Sequence, residues 1–163
     1  MEIRKAEMTD LAEILELYVQ ARQFMKENGN PDQWGDYYPP RELTEEDIQT
    51  GNCYICQEDG ALLGVFFYMK GDDPDYAEIY DGSWAGQGPY GVMHRVACPG
   101  SRRGVATFCV NWCVEQCGDL RIDTHRDNIP MQRMLEKNGF VRCGVIHPQF
   151  GGERIAYEKI VTV

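Results

Sequence analysis

The stretch from His94 to Cys113, "HRVACPGSRRGVATFCVNWC", concentrates reactive side chains and a glycine turn within one short segment. The pattern predicts a strand ending near Cys98, a turn containing Gly100 and Gly104, and a helix beginning near Arg103. The first amides of a helix lack internal acceptors and point outward, so together with the helix dipole they form an anion site. Gly104 removes a side chain where a phosphate would approach, and Ala106 does nearly the same. Arg102 and Arg103 add positive charge to an acidic chain. Neither G-x-G-x-x-G nor G-x-x-x-x-G-K-[ST] is present, so no nucleotide fingerprint names the anion. Cys98 sits where a helix N-terminus would stabilise a thiolate, which makes it a candidate nucleophile.

The other cysteines read differently. Cys53 and Cys56 lie on one strand at a spacing that puts them on opposite faces, and no second pair completes a zinc set. Cys109, Cys113 and Cys117 recur every fourth residue, so they share one helix face and pack as small hydrophobes. Abundant unpaired cysteine fits a reducing cytoplasm.

These groups must be positioned by a chain of 163 residues, enough for one domain with a real core. A net charge of −10 disfavours nucleic acid as a partner. The apolar runs are too short to cross a membrane, and no signal peptide is read at the start. "EIRKA" reads as a strand, residues 9–29 as a helix, and "TEED" as the start of a short helix with Thr44 and Asp47 as a capping box. "CYICQEDGALLGVFFYMK" is a hairpin, and "DYAEIY" and "YGVMHRVAC" are further strands. A helix, the strand "LRIDT", a helix with Pro130 in its first turn, and the antiparallel pair "FVRCGVIH" and "RIAYEKIVTV" complete the chain.

Taken with "IDTHRDNIPMQRMLEKNGF", the opening stretch resembles the GNAT superfamily of acyl-CoA-dependent N-acyltransferases. The family pattern V-x-P-x-x-[RQ]-x-x-G-x-[GA] lands on Val96, with Cys98 at the proline position and Ser101 at the Arg/Gln position, then Gly104 and Ala106. The pattern L-x-V-x-x-x-N lands on Ile122, Thr124 and Asn128, and Gly139-Phe140 closes the following helix. The resemblance covers nearly the whole chain. It implies an α/β fold in a single domain over residues 1–163, a mixed sheet of about seven strands flanked by about four helices, with splayed parallel fourth and fifth strands. It also implies acetyl-CoA as co-substrate, no metal, and direct transfer rather than an acyl-enzyme. The pyrophosphate would lie on the amides of Arg103, Gly104, Val105, Ala106 and Thr107, with Arg102 nearby for charge. Val96 and Cys98 would bond the pantetheine arm through main-chain groups, and Asn128 would contact that arm or cap its helix. Many relatives carry a general-acid tyrosine at the position of Leu135, which has no proton to give.

An alkylamine with a pKa of about 10 must be deprotonated before it attacks a thioester, so a general base is expected. Strand parity places Tyr90, Val92, His94 and Val96 on one face. His94 is the first choice as base or water-positioner, against the alternative of a histidine simply bonded within the sheet. Asp123 and His125 come second, and Tyr90 and Tyr157 are candidate acids. Two aromatic segments, "GNPDQWGDYYPP" and "YDGSWAGQGPYG", supply the acceptor side. Gln33, Trp34, Tyr37, Tyr38, Tyr80 and Trp84, with Asp36 and Asp81, either wall a pocket suited to a cationic amine or form a satellite core. The expected activity is acetyl transfer to a primary amine of a small molecule or peptide. A non-catalytic acyl-CoA-binding domain and a protein-modifying enzyme are the competing classes, and a homodimer is left open.

Overall fold

The computed structural model describes residues 1–161. Its elements in chain order are β1 (Glu2–Lys5), α1 (Leu11–Glu27), α2 (Arg41–Gln49), β2 (Cys53–Glu58), β3 (Ala61–Lys70) and β4 (Gly91–Ala97). They continue with α3 (Val105–Cys117), β5 (Asp119–Thr124), α4 (Ile129–Lys137), β6 (Val141–Ile146) and β7 (Arg154–Ile160). The seven strands form one sheet in the order β1-β2-β3-β4-β5-β7-β6, and only β4 and β5 run parallel. The expected mixed sheet with four helices is therefore present. Among the described residues no helix is long and apolar enough to cross a membrane.

Alternation along the strands sends side chains to two different cores. Cys56, Phe66, Tyr68 and Met93 face α3 and α4, where Cys109, Cys113 and Leu135 meet them. Cys53, Ile55, Val65 and Ala97 face α1, where Leu11, Ile14 and Tyr18 cover them. The two cysteines of the C-x-x-C pair thus lie on opposite faces as expected, and no group of metal-ligating side chains occurs among the described residues. In α1 the buried stripe runs through Leu17, while Val19 faces solvent. A third cluster, with Tyr76, Val92, Ile146 and Ala156, fills the remainder of the α1 face. The seam between the second and third clusters is left open, and that opening is where the site lies.

The parallel pairing of β4 with β5 is short, Gly91 with Leu120 and Val92 with Arg121. Beyond Val92 the two strands part, which is the expected splay. Just there β4 departs from regularity. His94 pairs with Phe67 and Ala97 pairs with Val65, so β4 carries one extra residue, and Arg95 takes a left-handed φ of 51°. This bulge resets the alternation. Val96 packs on the α3 face rather than sharing a face with Tyr90, Val92 and His94, which corrects the simple parity reading.

Two more expectations change. "DYAEIY" is not a strand: Asp73 caps a single 3-10 turn, Pro74–Tyr76, by accepting the Asp75 N–H at 2.9 Å, and only Tyr80 bridges to Val145. Proline has no N–H to give a ladder but suits the first helical position, so the capped turn wins. The short helix α2 starts at Arg41, so Thr44 lies inside it and donates its hydroxyl to the Pro40 carbonyl at 3.2 Å. Asp47 makes no capping box and instead holds Arg95 with two bonds of 2.7 and 2.9 Å. The last strand ends at Ile160, and its expected continuation over Thr162 and Val163 lies outside the described residues.

Candidate active site

A cavity of about 620 Å³ opens along that seam. A smaller one of about 200 Å³ runs toward the start of α3, and the two share Met25, Val96, Asn128 and Met131 as walls. The site is therefore one passage from the α3 N-terminus, past the β4–β5 splay, to the α1 face of the sheet.

At the α3 end, Gly104 takes φ 82° and nothing lies within 4 Å of where its Cβ would be. Phe108 donates the first α-helical bond, to the Gly104 carbonyl at 2.9 Å, so the amides of Val105, Ala106 and Thr107 precede the ladder. The helix starts two residues later than the sequence pattern suggests, which moves the donors toward Thr107 and leaves Arg103 outside the helix. Arg102 turns to Glu58 at 3.3 Å and to the Arg103 carbonyl at 2.9 Å. Val96, Cys98 and Ala106 line the smaller cavity. Asn30, not singled out by sequence, joins them with only 2% exposure, and its Oδ1 is buried with no partner. Such an orphaned acceptor suits an amide N–H of a threaded ligand.

Asn128 caps α4, its side chain accepting the Met131 N–H at 3.1 Å, and it also lines both cavities. Its Nδ2 also donates to Gln33 Oε1 at 2.8 Å, and Asn30 donates to the same oxygen at 2.8 Å. Gln33 thereby ties the loop after α1 to the wall of the passage.

In the larger cavity His94 is clamped by groups from separate elements. Its Nε2 lies 2.7 Å from Asp73 Oδ2, and its ring contacts Phe67 and Tyr76. Burial pushes the Asp73 carboxyl up, but His94 and the Asp75 amide outweigh it and hold Asp73 below the usual carboxylate range. In the tautomer whose Nε2–H donates a hydrogen bond to an ionised Asp73, the Nδ1 lone pair is left free. Nδ1 stands 3.8 Å from Asp123 Oδ2, too far for a direct hydrogen bond. A nitrogen placed beside that gap would reach both atoms. The Tyr76 hydroxyl donates to Asp123 Oδ2 at 2.6 Å, and burial followed by the Asp123 charge keeps its pKa well above normal.

Gln33, Trp34 and Tyr38 line this cavity, as does Asp123. Other candidates stand outside it. The Tyr90 hydroxyl accepts the Asp73 N–H at 3.0 Å, which ties it to the backbone of the aspartate. The Trp84 indole donates to the Tyr76 carbonyl at 3.0 Å, and its ring lies under the Arg121 guanidinium. Tyr80 packs at a tilt against His147 and bonds Glu78, Tyr37 is 85% exposed, and Asp36 pairs with Lys26 at the surface. Asp81 is exposed on a positive-φ turn. His125 accepts the Asp127 N–H through Nδ1 at 3.0 Å, and burial followed by Arg154 lowers its pKa. Tyr157 is buried against Glu136, and Leu135 is fully enclosed in the α3–α4 core. Sequence reasoning missed Asp73, Tyr76 and Arg154. For Asp73 a signal existed, since Asp-Pro is a cap followed by a first-turn proline. Arg154 had none.

The family model described as the acetyltransferase (GNAT) family matches residues 11–140. A GNAT-family acetyltransferase structure from Streptococcus agalactiae is 33% identical, with 99% of this chain and 96% of that chain covered and a TM-score of 0.89. A GNAT-family acetyltransferase from Listeria monocytogenes is 20% identical over 98% of this chain and 94% of that one, with a TM-score of 0.70. An Arabidopsis thaliana protein solved in complex with acetyl-CoA shares the fold at 15% identity, with coverage of 98% and 99% and a TM-score of 0.63. A comparison with curated proteins finds no match.

Proposed function

The chain belongs to the GNAT acetyltransferase family, and from that premise we propose that it transfers an acetyl group from acetyl-CoA to a primary amine by direct attack. The observation that carries this reading is His94, fixed by Asp73 through Nε2 with Nδ1 left free beside Asp123. The residues present also fit the co-substrate. Amides of Val105, Ala106 and Thr107 would take the pyrophosphate, and Asn30 Oδ1 would accept an amide N–H of the pantetheine arm. Relatives of the same fold have been solved with acetyl-CoA, which supports the choice.

Asp73 and Asp123 attract the ammonium form of the acceptor and draw it to His94. Nδ1 then takes a proton from the nitrogen, and Asp73 stabilises the imidazolium that results. The freed nitrogen pair forms a bond to the thioester carbonyl carbon, the C–S bond breaks, and the sulfur leaves as thiolate, which takes up the nitrogen's second proton to give CoA thiol and the neutral amide, while His94 returns its proton to water. A thiol pKa of about 8–9 makes that leaving group tolerable without the acid missing at Leu135. Cys98 is a wall of the passage and forms no covalent intermediate. The chain acts as one catalytic domain, and its seven free cysteines suit a reducing compartment such as the cytoplasm.

The test is release of free CoA thiol over a panel of primary amines, with N-acetyl product measured alongside. Amine-dependent release matched by product is expected. Tight acetyl-CoA binding with no acceleration by any amine would overturn catalysis in favour of a sensing role.

A further inference from the structure

Three arginines of this chain are buried or nearly so, and two have obvious reasons. Arg95 grips Asp47 with two bonds of 2.7 and 2.9 Å, and Arg121 grips Glu158 at 3.0 Å. Arg154, at 7% exposure, has no carboxylate within 4 Å among the described residues. Among the described residues its hydrogen-bond partners are carbonyls, Glu153 at 3.0 Å and Gln33 at a long 3.4 Å. The chain does not lack acids, with 26 carboxylate side chains against 16 Lys and Arg. Burying a guanidinium without a counter-charge is costly, and native structures almost always supply one. Burial lowers the pKa of Arg154, opposed only by the more distant Asp123 and Tyr38.

Position gives that missing partner a place. Arg154 begins β7 and lines the larger cavity, the same one that holds His94, Asp73 and Asp123. Gly151 keeps its approach clear, since a Cβ there would stand 2.9 Å from Arg154 Nη2. One cavity lining therefore carries a cation together with two carboxylates and a base. Phe67, Met69, Trp34, Tyr38 and Phe150 supply apolar wall around them.

We propose that the acceptor is an aminocarboxylate, a free amino acid, with its amine received at His94 and its carboxylate received by the Arg154 guanidinium. A guanidinium meets a carboxylate in two parallel hydrogen bonds, so it fixes orientation as well as charge. Arg154 is then a specificity residue for the reaction, and the apolar walls favour an apolar side chain on the substrate. This inference deepens the transferase reading and rests on it for turnover, while the carboxylate site itself is readable by binding alone.

The experiment uses the full chain with acetyl-CoA and three matched series: amino acids with apolar side chains, their carboxamides, and their decarboxylated amines. α-, β- and γ-amino acids are included to read the spacing. Amino acids are expected to exceed their neutral counterparts by about 100-fold in kcat/KM, the scale of a lost charged hydrogen-bond pair at 1.4 kcal/mol per tenfold. Arg154→Gln should collapse that ratio toward one, mainly through KM, and Arg154→Lys should restore part of it. Amides and amines turned over as well as the acids overturn the inference and leave the transferase standing. The wild-type ratio needs no variant, so misfolding of Arg154→Gln cannot obscure it. Calorimetry of amino-acid binding in the presence of CoA separates the remaining cases. Binding lost in Arg154→Gln and partly kept in Arg154→Lys, without any turnover, supports the carboxylate site and overturns the transferase. Neither binding nor turnover overturns both.

Discussion

The two ends of the passage are built from different materials. The α3 end is made mostly of backbone, with three amides before the helical ladder and a left-handed glycine, while Arg102 turns away to Glu58. The His94 end is made of side chains drawn from the turn after β3, from β4, from β5 and from the start of β7. A backbone site tolerates substitution around it, since the donors are present whatever the side chains are. Ser101 at the family's Arg/Gln position is a departure of that harmless kind. A side-chain site has no such tolerance, and each of its members is expected to matter separately.

The largest effect is therefore expected at His94. His94→Gln keeps a polar side chain against Asp73 but removes the basic nitrogen. It should lower kcat by about 100- to 10,000-fold, the usual contribution of a positioned base. Acetyl-CoA affinity, read by calorimetry, should stay within about twofold, because the cradle is elsewhere. Unchanged kcat and an unchanged pH–rate profile would remove His94 as base and place the proton transfer on Asp123 or on water.

A second break in the comparison concerns Leu135, where the family's acid is lost. Leu135 is fully buried among Cys109, Val110 and Phe140 in the core behind the cradle. Leu135→Tyr must fit a larger ring and a hydroxyl into closed packing, so it should cost about 1–3 kcal/mol of stability. Over a chain of this length that corresponds to a Tm fall of roughly 2–12 °C. A variant as stable as the parent and faster in kcat would show that the tyrosine position still opens onto the passage.

The same contrast decides what was legible in the sequence. The strand–turn–helix unit from His94 to Cys113 was legible because strand, glycine and helix start are local, and local order is what a pattern records. The splay and the sheet followed from recognising two such patterns at the right separation. The His94 clamp was half legible. His94 and Asp123 could be placed by strand parity, yet Asp73 sits 21 residues from His94 and was hidden by reading "DYAEIY" as a strand. The bulge at Arg95 was not legible either, since nothing in "HRVA" marks a left-handed arginine. That conformation is held by contacts made elsewhere, with Asp47 and with the Phe67 ring 4.5 Å away. Tyr80 and Trp84 looked like pocket walls by composition, but the loop that carries them folds under Arg121 instead.

That loop gives a subtler test of the side-chain end. Glu158 accepts the amides of Ala85 and Gly86 and the Arg121 guanidinium, whose face lies 3.9 Å from the Tyr90 ring. Tyr90 in turn holds the Asp73 amide. Behind this chain of contacts, burial and then a hydrogen bond to Glu158 push Asp119 up to about 7. Burial would raise Glu158 too, but Asp119, Ala85, Arg121 and Gly86 together hold it low, so the shared proton sits on Asp119. Unfolded Asp releases its proton near pH 4, so between about 4 and 7 the native state binds more protons than the unfolded one. Stability from this group is full below about pH 4 and is lost as pH rises through about 7. Asp119→Asn removes the titration and keeps a donor to Glu158. Its Tm should fall less between pH 5 and 8 than that of the parent, by a few degrees. Parallel Tm profiles for parent and variant would show that the pair carries no shared proton.

The smallest effect belongs to the backbone end, and its smallness is the point. Arg102 looks like the obvious phosphate ligand, yet it spends its guanidinium on Glu58 and on the Arg103 carbonyl. Its side chain is about half exposed, where charge is screened by water and salt. If amides of Val105 to Thr107 make the anion site, Arg102→Ala should weaken acetyl-CoA binding by no more than about threefold, under 1 kcal/mol. The weakening should shrink further as ionic strength rises, because a remote exposed charge acts only through the screened field. A loss of tenfold or more, persisting in high salt, would mean that Arg102 leaves Glu58 to grip the phosphate directly. The two ends of the passage would then be alike in construction, both resting on particular side chains.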